Sequence, residues 1–352
     1  MSDILAEFEK ACKGGGEPGR VPMVLWGNCP WITDLVGVRA AEYYHNAATK
    51  LHVQLQVQDL FPEVILIPGI WPDFGVVSEP VSAFGGEIVW EDNESPFIRP
   101  VLRKRDDILK LKPPKPLNEL GLGPQVLSQY RFFWDHLPKR YVEKYGYLDG
   151  VAWTIGPVET AALLRGYCEL FVDMYDEPSM VHRLLEVTTQ TTMNWLSMIE
   201  RVNGALRRLV LVDHVASMIS LECFDEFYVP YVRAVYSQYP GAIKIYHNEG
   251  NCSHVLHKIP ELGADVFHFG PDVDIARAKG ILGNRITLMG NLDPKNVLNA
   301  GSTLDVERET KRQLSVGASG GRYVFTCAAA PYRTTPRENL EAMVRTALAG
   351  VS

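Results

Sequence analysis

Short apolar runs alternate with longer segments of helical periodicity along most of this chain of 352 residues. Apolar runs of strand length lie at 21–26, 64–68, 150–155, 209–213, 243–246, 265–269, 285–289 and 323–326. Segments with a helical pattern lie near 2–13, 37–51, 158–173, 178–201, 222–239, 252–262, 273–281, 294–299, 303–316 and 336–349. The pattern therefore predicts eight strands, most of them followed by a helix.

Strands that alternate with helices predict a parallel α/β fold, and eight such units predict a closed (β/α)8, or TIM, barrel. A doubly wound open sheet is the structural alternative, but no Gly-x-Gly-x-x-Gly motif follows the first strand. Glycines and prolines divide residues 69–148 into short pieces that also carry aromatic side chains. We predict that this stretch is an excursion of hairpins and short helices, packed on a single barrel domain that spans residues 1–352.

Polar and metal-binding side chains lie at or just after the predicted strand ends. They are Trp26, Asn28, Asp213, His214, His247, Glu249, His268, Asn291, Asp293 and Cys327. In a (β/α)8 barrel the carboxyl ends of all strands meet at one mouth, where active sites lie. The sequence therefore predicts an enzyme whose site is built from this group.

The segment at 243–252, with the sequence IKIYHNEGNC, carries the densest group of candidate metal ligands. His247 and Glu249 are two residues apart, so their side chains point to the same side of a strand that runs into a loop. Cys327, at the end of the last strand, offers a third ligand. We predict a Zn²⁺ site of His247, Glu249 and Cys327 with one position open for chemistry, and Cys252 is the alternative source of sulfur.

The composition narrows the choice of partners and location. The net charge is -7 and only residues 103–105 form a tight basic cluster, so nucleic acid is not expected as a partner. No apolar run is long enough for a membrane span, and the acidic N-terminus lacks the features of a signal peptide. The six cysteines follow no disulfide spacing, which favours reduced thiols in a cytoplasmic protein.

Five stretches of the C-terminal half resemble the uroporphyrinogen decarboxylase superfamily. They are LVDHVAS at 211–217, FDEFYVPY at 224–231, YHNEG at 246–250, LMGNLDP at 288–294, and Cys327 with TTPREN at 334–339. The true decarboxylases of this superfamily carry an arginine-rich motif near the N-terminus, whereas residues 25–30 here are LWGNCP. A substrate with many carboxylates needs several such cations, so the departure argues against decarboxylation of uroporphyrinogen.

The chain is more similar to the zinc-dependent, corrinoid-linked methyltransferases of the superfamily, whose zinc motif is His-x-Cys with a distant Cys. Here Glu249 follows His247 at the position of the first cysteine, and Cys327 is the distant one. A carboxylate makes the site harder and better matched to an oxygen ligand than to a thiol. The resemblance implies a zinc-dependent methyltransferase that demethylates a small methylated substrate, with an O-methyl or methoxylated aromatic compound as the expected class.

The resemblance also implies partners. Zinc would polarise the substrate oxygen while a corrinoid accepts the methyl group. No cobalamin-binding Asp-x-His-x-x-Gly motif occurs in the chain, so the corrinoid is expected on a separate protein that docks over the barrel mouth. We expect a homodimer, because dimers are common among such barrels.

Further site residues are expected around the metal. Asp213 is expected to act as a proton acceptor, as a hydrogen-bond partner of His247 or as a substrate contact, with a helix N-cap as its alternative role. The substrate is expected to contact Trp26, Asn28, His214 and Asn291.

Three other functions stay open from the sequence. The methyl group could pass from the corrinoid protein to a thiol or a pterin, although Glu249 disfavours a thiol. A metal-free decarboxylase or lyase would have the same fold without bound zinc. A non-catalytic barrel that binds a corrinoid protein or a porphyrin would keep its binding after replacement of His247.

Overall fold

The computed structural model of the chain describes residues 3–17, 19–75, 77 and 79–350. All eight predicted strands are present in it, and a short hairpin adds two more. The strands are β1 (Val24–Trp26), β2 (Ile65–Ile67), β3 (Ile88–Val89), β4 (Phe97–Ile98), β5 (Val151–Ile155), β6 (Arg208–Val212), β7 (Ile243–Asn248), β8 (Val266–Phe269), β9 (Thr287–Met289) and β10 (Tyr323–Val324).

The eight main strands are parallel and follow the neighbour order of a (β/α)8 barrel. Strands β5 to β10 pair in chain order within one sheet, and β1 pairs with β2. A bridge between Met23 and Phe325 joins β1 to the end of β10. The row of strands therefore runs β2-β1-β10-β9-β8-β7-β6-β5, which confirms the predicted fold class.

The seam of this barrel lies between β2 and β5, where no backbone ladder forms among the described residues. The long excursion at 69–148 connects these two strands, so the seam coincides with the longest connection in the barrel. There the backbone N–H of Leu66 donates to the Tyr147 hydroxyl at 2.8 Å. A side chain that comes just before β5 thus takes the place of a strand partner.

Most predicted helices are present, with breaks that the sequence pattern does not predict. The helices are α1 (Asp3–Cys12), α2 (Trp31–Val36), α3 (Ala40–His45), α4 (Ala47–Leu60), α5 (Glu79–Ser82), α6 (Gly123–His136), α7 (Lys139–Tyr145), α8 (Pro157–Arg165), α9 (Tyr167–Asp176), α10 (Pro178–Asn203), α11 (Leu221–Cys223), α12 (Val229–Ser237), α13 (Ile275–Leu282), α14 (Thr303–Gly317) and α15 (Arg337–Leu348). Within the described part of the chain, no helix combines the length and apolar character that a lipid bilayer requires.

The excursion packs on the barrel as the sequence predicts, but with longer helices. Strands β3 and β4 form an antiparallel hairpin, with Ile88 paired with Ile98. Helix α6 packs against α4 and α10, and α5 packs against α8 and β5. The excursion therefore covers the side of the barrel at which the seam lies.

Aromatic rings fill the barrel interior near its mouth. The ring of Trp26 on β1 lies 5.2 Å from that of Trp153 on β5 and 4.8 Å from that of His247 on β7, measured between centroids. Trp71 continues the row, 5.5 Å from Trp153. This packing gives the rings at the mouth fixed positions against which polar groups can be aligned.

Candidate metal centre

The carboxyl ends of β6, β7 and β8 bring three histidines to the mouth of the barrel. In the parallel ladder Val212 is paired with His247, and His247 is paired with His268. His214 follows two residues after Val212, where the strand gives way to a turn. Paired residues on adjacent strands lie side by side, so residues that are far apart in the chain meet here.

One group of candidate metal ligands forms at this point, from His214, His247 and Glu249. A ligand atom of each lies within 4.8 Å of the other two, and no other such group forms among the described residues. His247 is 7% exposed, whereas 47% of the Glu249 side chain is exposed. The group is therefore buried on one side and open to solvent on the other.

Contacts behind His247 decide which of its ring nitrogens is free. His247 Nδ1 lies 2.5 Å from His268 Nδ1, and His268 Nε2 lies 2.7 Å from the carbonyl oxygen of Cys327. Because a carbonyl oxygen only accepts, His268 carries its proton on Nε2, and its Nδ1 accepts from the Nδ1–H of His247. His247 Nε2 is then unprotonated, and it lies 3.9 Å from Glu249 Oε2.

The indole of Trp26 offers a competing arrangement. Its Nε1 lies 2.9 Å from the same His268 Nε2, which could accept this N–H only without a proton of its own. That tautomer would reverse the histidine pair and place a proton on His247 Nε2, where no metal could then bind. The shorter contact to the Cys327 carbonyl favours the first arrangement, which leaves His247 Nε2 free.

The two paired rings are neutral at neutral pH. Burial lowers the pKa of His247 well below its usual value, and the nearby imidazoles of His268 and His214 lower it further. Burial also lowers the pKa of His268 to about 3. Neutral imidazole is the form that binds a metal ion, so His247 is prepared for that role.

Glu159, at the start of α8, contacts the backbone of His214 and lies near its ring. The His214 backbone N–H donates to Glu159 Oε2 at 2.7 Å, and His214 Nδ1 lies 3.7 Å from the same oxygen. Burial alone would lower the pKa of His214, but the Glu159 carboxylate outweighs it and raises this pKa to about 8. His214 Nε2 is buried and has no hydrogen-bond partner among the described residues. A carboxylate on one ring nitrogen is the usual support of a histidine that binds metal through the other.

Asp213 lies beneath the group and makes the contacts of a helix cap. Its Oδ2 accepts from the backbone N–H groups of Val158 and Glu159 at 3.2 and 2.9 Å, and its Oδ1 accepts from Val215 at 3.3 Å. Burial and the Glu159 carboxylate raise its pKa, while these N–H donors oppose the shift. Asp213 therefore fixes the start of α8, and with it Glu159, instead of joining the candidate ligands.

Cys327 does not join the group, contrary to the predicted ligand set. Its sulfur lies 3.5 Å from the sulfur of Met343 on α15, and its carbonyl oxygen faces His268. Burial raises the pKa of the Cys327 thiol to about 12, and it does the same for Cys252. The chain after β10 thus turns a carbonyl, and not a thiol, toward His268. The third member of the candidate group is His214.

The predicted substrate contacts have different surroundings. Trp26 packs on both His247 and His268, at 4.8 and 4.4 Å between ring centroids. Asn28 lines a small cavity of about 110 Å³ that Trp71 and Trp153 also line. The Asn291 amide donates to the carbonyls of Gly270 and Val273 at 2.9 and 2.8 Å, so its side chain holds a loop together.

The sequence prediction omits Glu159, which supports His214, and gives His268 no specific role. Glu159 lies in the segment GPVE at 156–159, directly after β5. The sequence feature that could have identified Glu159 is the position of an acidic residue so close to a strand end. His268 contacts His247 only because β8 lies beside β7. The sequence does not show directly which strands are neighbours.

Comparison with known proteins places these features in a family context. The family model of uroporphyrinogen decarboxylase (URO-D) matches residues 8–349. The uroporphyrinogen decarboxylase of Chlorobium limicola is 31% identical over 231 residues, which are 64% of this chain and 62% of that protein. The protein of the same name from Methylobacillus flagellatus is 26% identical over 309 residues, which are 85% of this chain and 82% of that protein.

A solved structure supports the fold. A methyltransferase from Methanosarcina mazei superposes on this chain with a TM-score of 0.80 at 19% sequence identity, and the match covers 98% of both chains. At this level of identity the likeness shows a shared fold and nothing further. The resemblance that the sequence motifs suggested is confirmed at the level of the superfamily.

Proposed function

This chain belongs to the uroporphyrinogen decarboxylase family, and from that premise we propose that it is a zinc-dependent methyltransferase. It takes the methyl group from a small O-methyl compound and passes it to a corrinoid on a separate protein. The observation that carries the proposal is the convergence of His214, His247 and Glu249. The His247 ring contacts His268, and the Glu159 carboxylate lies 3.7 Å from His214 Nδ1.

The residues present fit a zinc ion. His214 Nε2 is a buried nitrogen without a hydrogen-bond partner in the part of the chain that the structure describes. The contact with His268 leaves His247 Nε2 unprotonated, with its lone pair available. Together with the Glu249 carboxylate they form a set of two nitrogens and one oxygen, which is a known ligand set of catalytic zinc. Such sites keep a further position open for a substrate atom.

The chemistry can be written with the chain's own groups in defined roles. A zinc ion bound here supplies a Lewis acid for the substrate oxygen. In the reaction the bond between the methyl carbon and that oxygen breaks, the methyl group goes to reduced corrinoid, and the oxygen keeps the electron pair and gains a proton. His268 and Glu159 keep His247 and His214 in the orientations that leave both Nε2 atoms free.

Two observations disfavour the decarboxylase alternative that the names of the relatives suggest. The stretch from the end of β1 into the following turn, residues 25–30, has no arginine with which to hold a carboxylated tetrapyrrole. The cavity beside Asn28 and Trp153 has a volume of about 110 Å³. Sites for larger ligands occupy roughly 300–1,000 Å³, so this part of the mouth suits a small substrate.

Metal content measured by mass spectrometry tests the site. We expect about one zinc per chain in the wild type, and loss of zinc in His247→Ala and His214→Ala, since each removes one ligand of three. Cys327→Ala is the matched control: it deletes the thiol but keeps the backbone carbonyl, so zinc should be retained. A wild type without zinc, after purification without chelator, would refute the zinc mechanism. Zinc lost in His247→Ala and Cys327→Ala but retained in His214→Ala would instead restore the ligand set predicted from the sequence.

Methyl transfer is the second test. Zinc-loaded protein is mixed with reduced cobalamin and either 2-methoxyethanol or methoxybenzoate, and formation of methylcobalamin is followed by absorbance. We expect turnover in the wild type and none in His247→Ala. Zinc binding without turnover on any methyl ether would contradict the proposed direction, and the reverse reaction with methylcobalamin and a thiol would then be assayed.

A further inference from the structure

A groove of about 620 Å³ lies on the outer helix layer, between α6, the C-terminal half of α10 and the segment at 115–118. Its volume is within the range of roughly 300–1,000 Å³ that is typical of small-molecule sites. The end of α10 leads into the start of β6. The groove therefore lies toward the amino ends of the strands, away from the mouth that holds His214 and His247.

Helical spacing builds the walls of this groove. Asn194, Met198 and Val202 recur every fourth residue along α10, so they share one helix face. Leu127 and Arg131 are likewise one turn apart on α6. Met198 is buried, and with Leu127 and Val202 it gives the groove an apolar floor.

Positive charge without a matching acid rims the groove. Lys115, Arg131 and Arg201 line it, and no aspartate or glutamate does. None of the three forms an ion pair with a residue in the described part of the chain. The chain as a whole has 42 acidic and 35 basic residues, so a groove lined by cations alone departs from the rest of the molecule. Three cations without an acidic residue among the groove-lining side chains indicate an anionic ligand.

We propose that this groove binds a small organic anion with an apolar body. The anionic group is held by Arg131, Arg201 and Lys115, while the apolar part lies on Met198 and Leu127. The site is separate from the metal centre and does not depend on the proposed methyl transfer.

Fluorescence titration with anilinonaphthalene sulfonate, an aromatic sulfonate, tests the proposal on the whole protein. We expect saturable binding at one site per chain. The double variant R131A/R201A should weaken it by about tenfold or more, because two charge-assisted contacts are lost. Arg183→Ala is the matched control, since Arg183 is an exposed arginine on the same helix but outside the groove.

The single variants R131A and R201A give a graded test. Each removes one charge-assisted contact and keeps the other, so we expect each to weaken binding of the probe less than the double variant does, with circular dichroism unchanged. Equal binding by wild type and R131A/R201A, or no saturable binding at all, would overturn the proposal.

Discussion

Replacement of His268 by phenylalanine tests how the candidate ligand His247 is oriented. A flat aromatic ring is kept, but His247 Nδ1 loses its acceptor at 2.5 Å and the Cys327 carbonyl loses its donor at 2.7 Å. Loss of a partner behind a metal-bound histidine costs about 10–100-fold in metal affinity, or about 1.4–2.8 kcal/mol. We therefore expect His268→Phe to bind zinc more weakly by about this factor, in competition with a chromophoric chelator.

His268→Asn separates orientation from packing. The asparagine Oδ1 can occupy the position of the histidine Nδ1 and accept from His247, so this variant should recover most of the lost affinity even though its side chain is smaller. Thermal unfolding of both variants shows whether the fold is kept. If His268→Phe bound zinc as tightly as the wild type, or if His268→Asn bound as weakly as His268→Phe, the assignment of the His247 tautomer would be refuted.

Three further outcomes concern the support of His214. Glu159→Gln removes the carboxylate that raises the pKa of His214 to about 8, so that pKa should fall in a nuclear magnetic resonance titration, and an unchanged value would exclude Glu159 as the cause. Zinc must displace the proton of His214 below this pKa, so apparent zinc affinity should fall by about tenfold per pH unit as pH drops from about 8; a flat profile would count against His214 as a ligand. Asp213→Ala removes the cap of α8 and should lower the free energy of unfolding by about 0.5–2 kcal/mol in urea, whereas unchanged stability would mean that the cap contacts contribute nothing.

The strands could be predicted well because their signal is local. Each of the eight main strands is a short apolar run, and a central barrel strand is buried on both faces whatever its neighbours are. Helix breaks were missed because they depend on single residues. The predicted helix at 37–51 is broken at Asn46, whose side chain caps α4 by accepting from the Thr49 backbone N–H at 3.0 Å. The predicted helix at 158–173 is broken at Gly166, which has a φ of 95°.

The same distinction between local and distant information explains the site. His247 and Glu249 were grouped from their spacing of two, and the structure brings both to one point. Whether Cys327 turns its thiol or its carbonyl inward depends on how α15 packs, because its sulfur lies against Met343. Asp213 caps a helix that begins more than fifty residues earlier in the chain, and no local pattern carries that relation.

The presence of His214 rather than Cys327 in the candidate ligand group also bears on the proposed direction of methyl transfer. Two neutral imidazoles and one carboxylate would bring a single negative charge to a zinc dication, so the site would keep a net positive charge. A site with one histidine and two thiolates is neutral, and it leaves a bound thiolate as a stronger nucleophile. A positive site instead stabilises the negative charge that develops on a leaving oxygen. We therefore expect one zinc-loaded preparation to demethylate an ether faster than it methylates a thiol. If thiol methylation were the faster reaction, the ligand group of His214, His247 and Glu249 would not control the direction of methyl transfer.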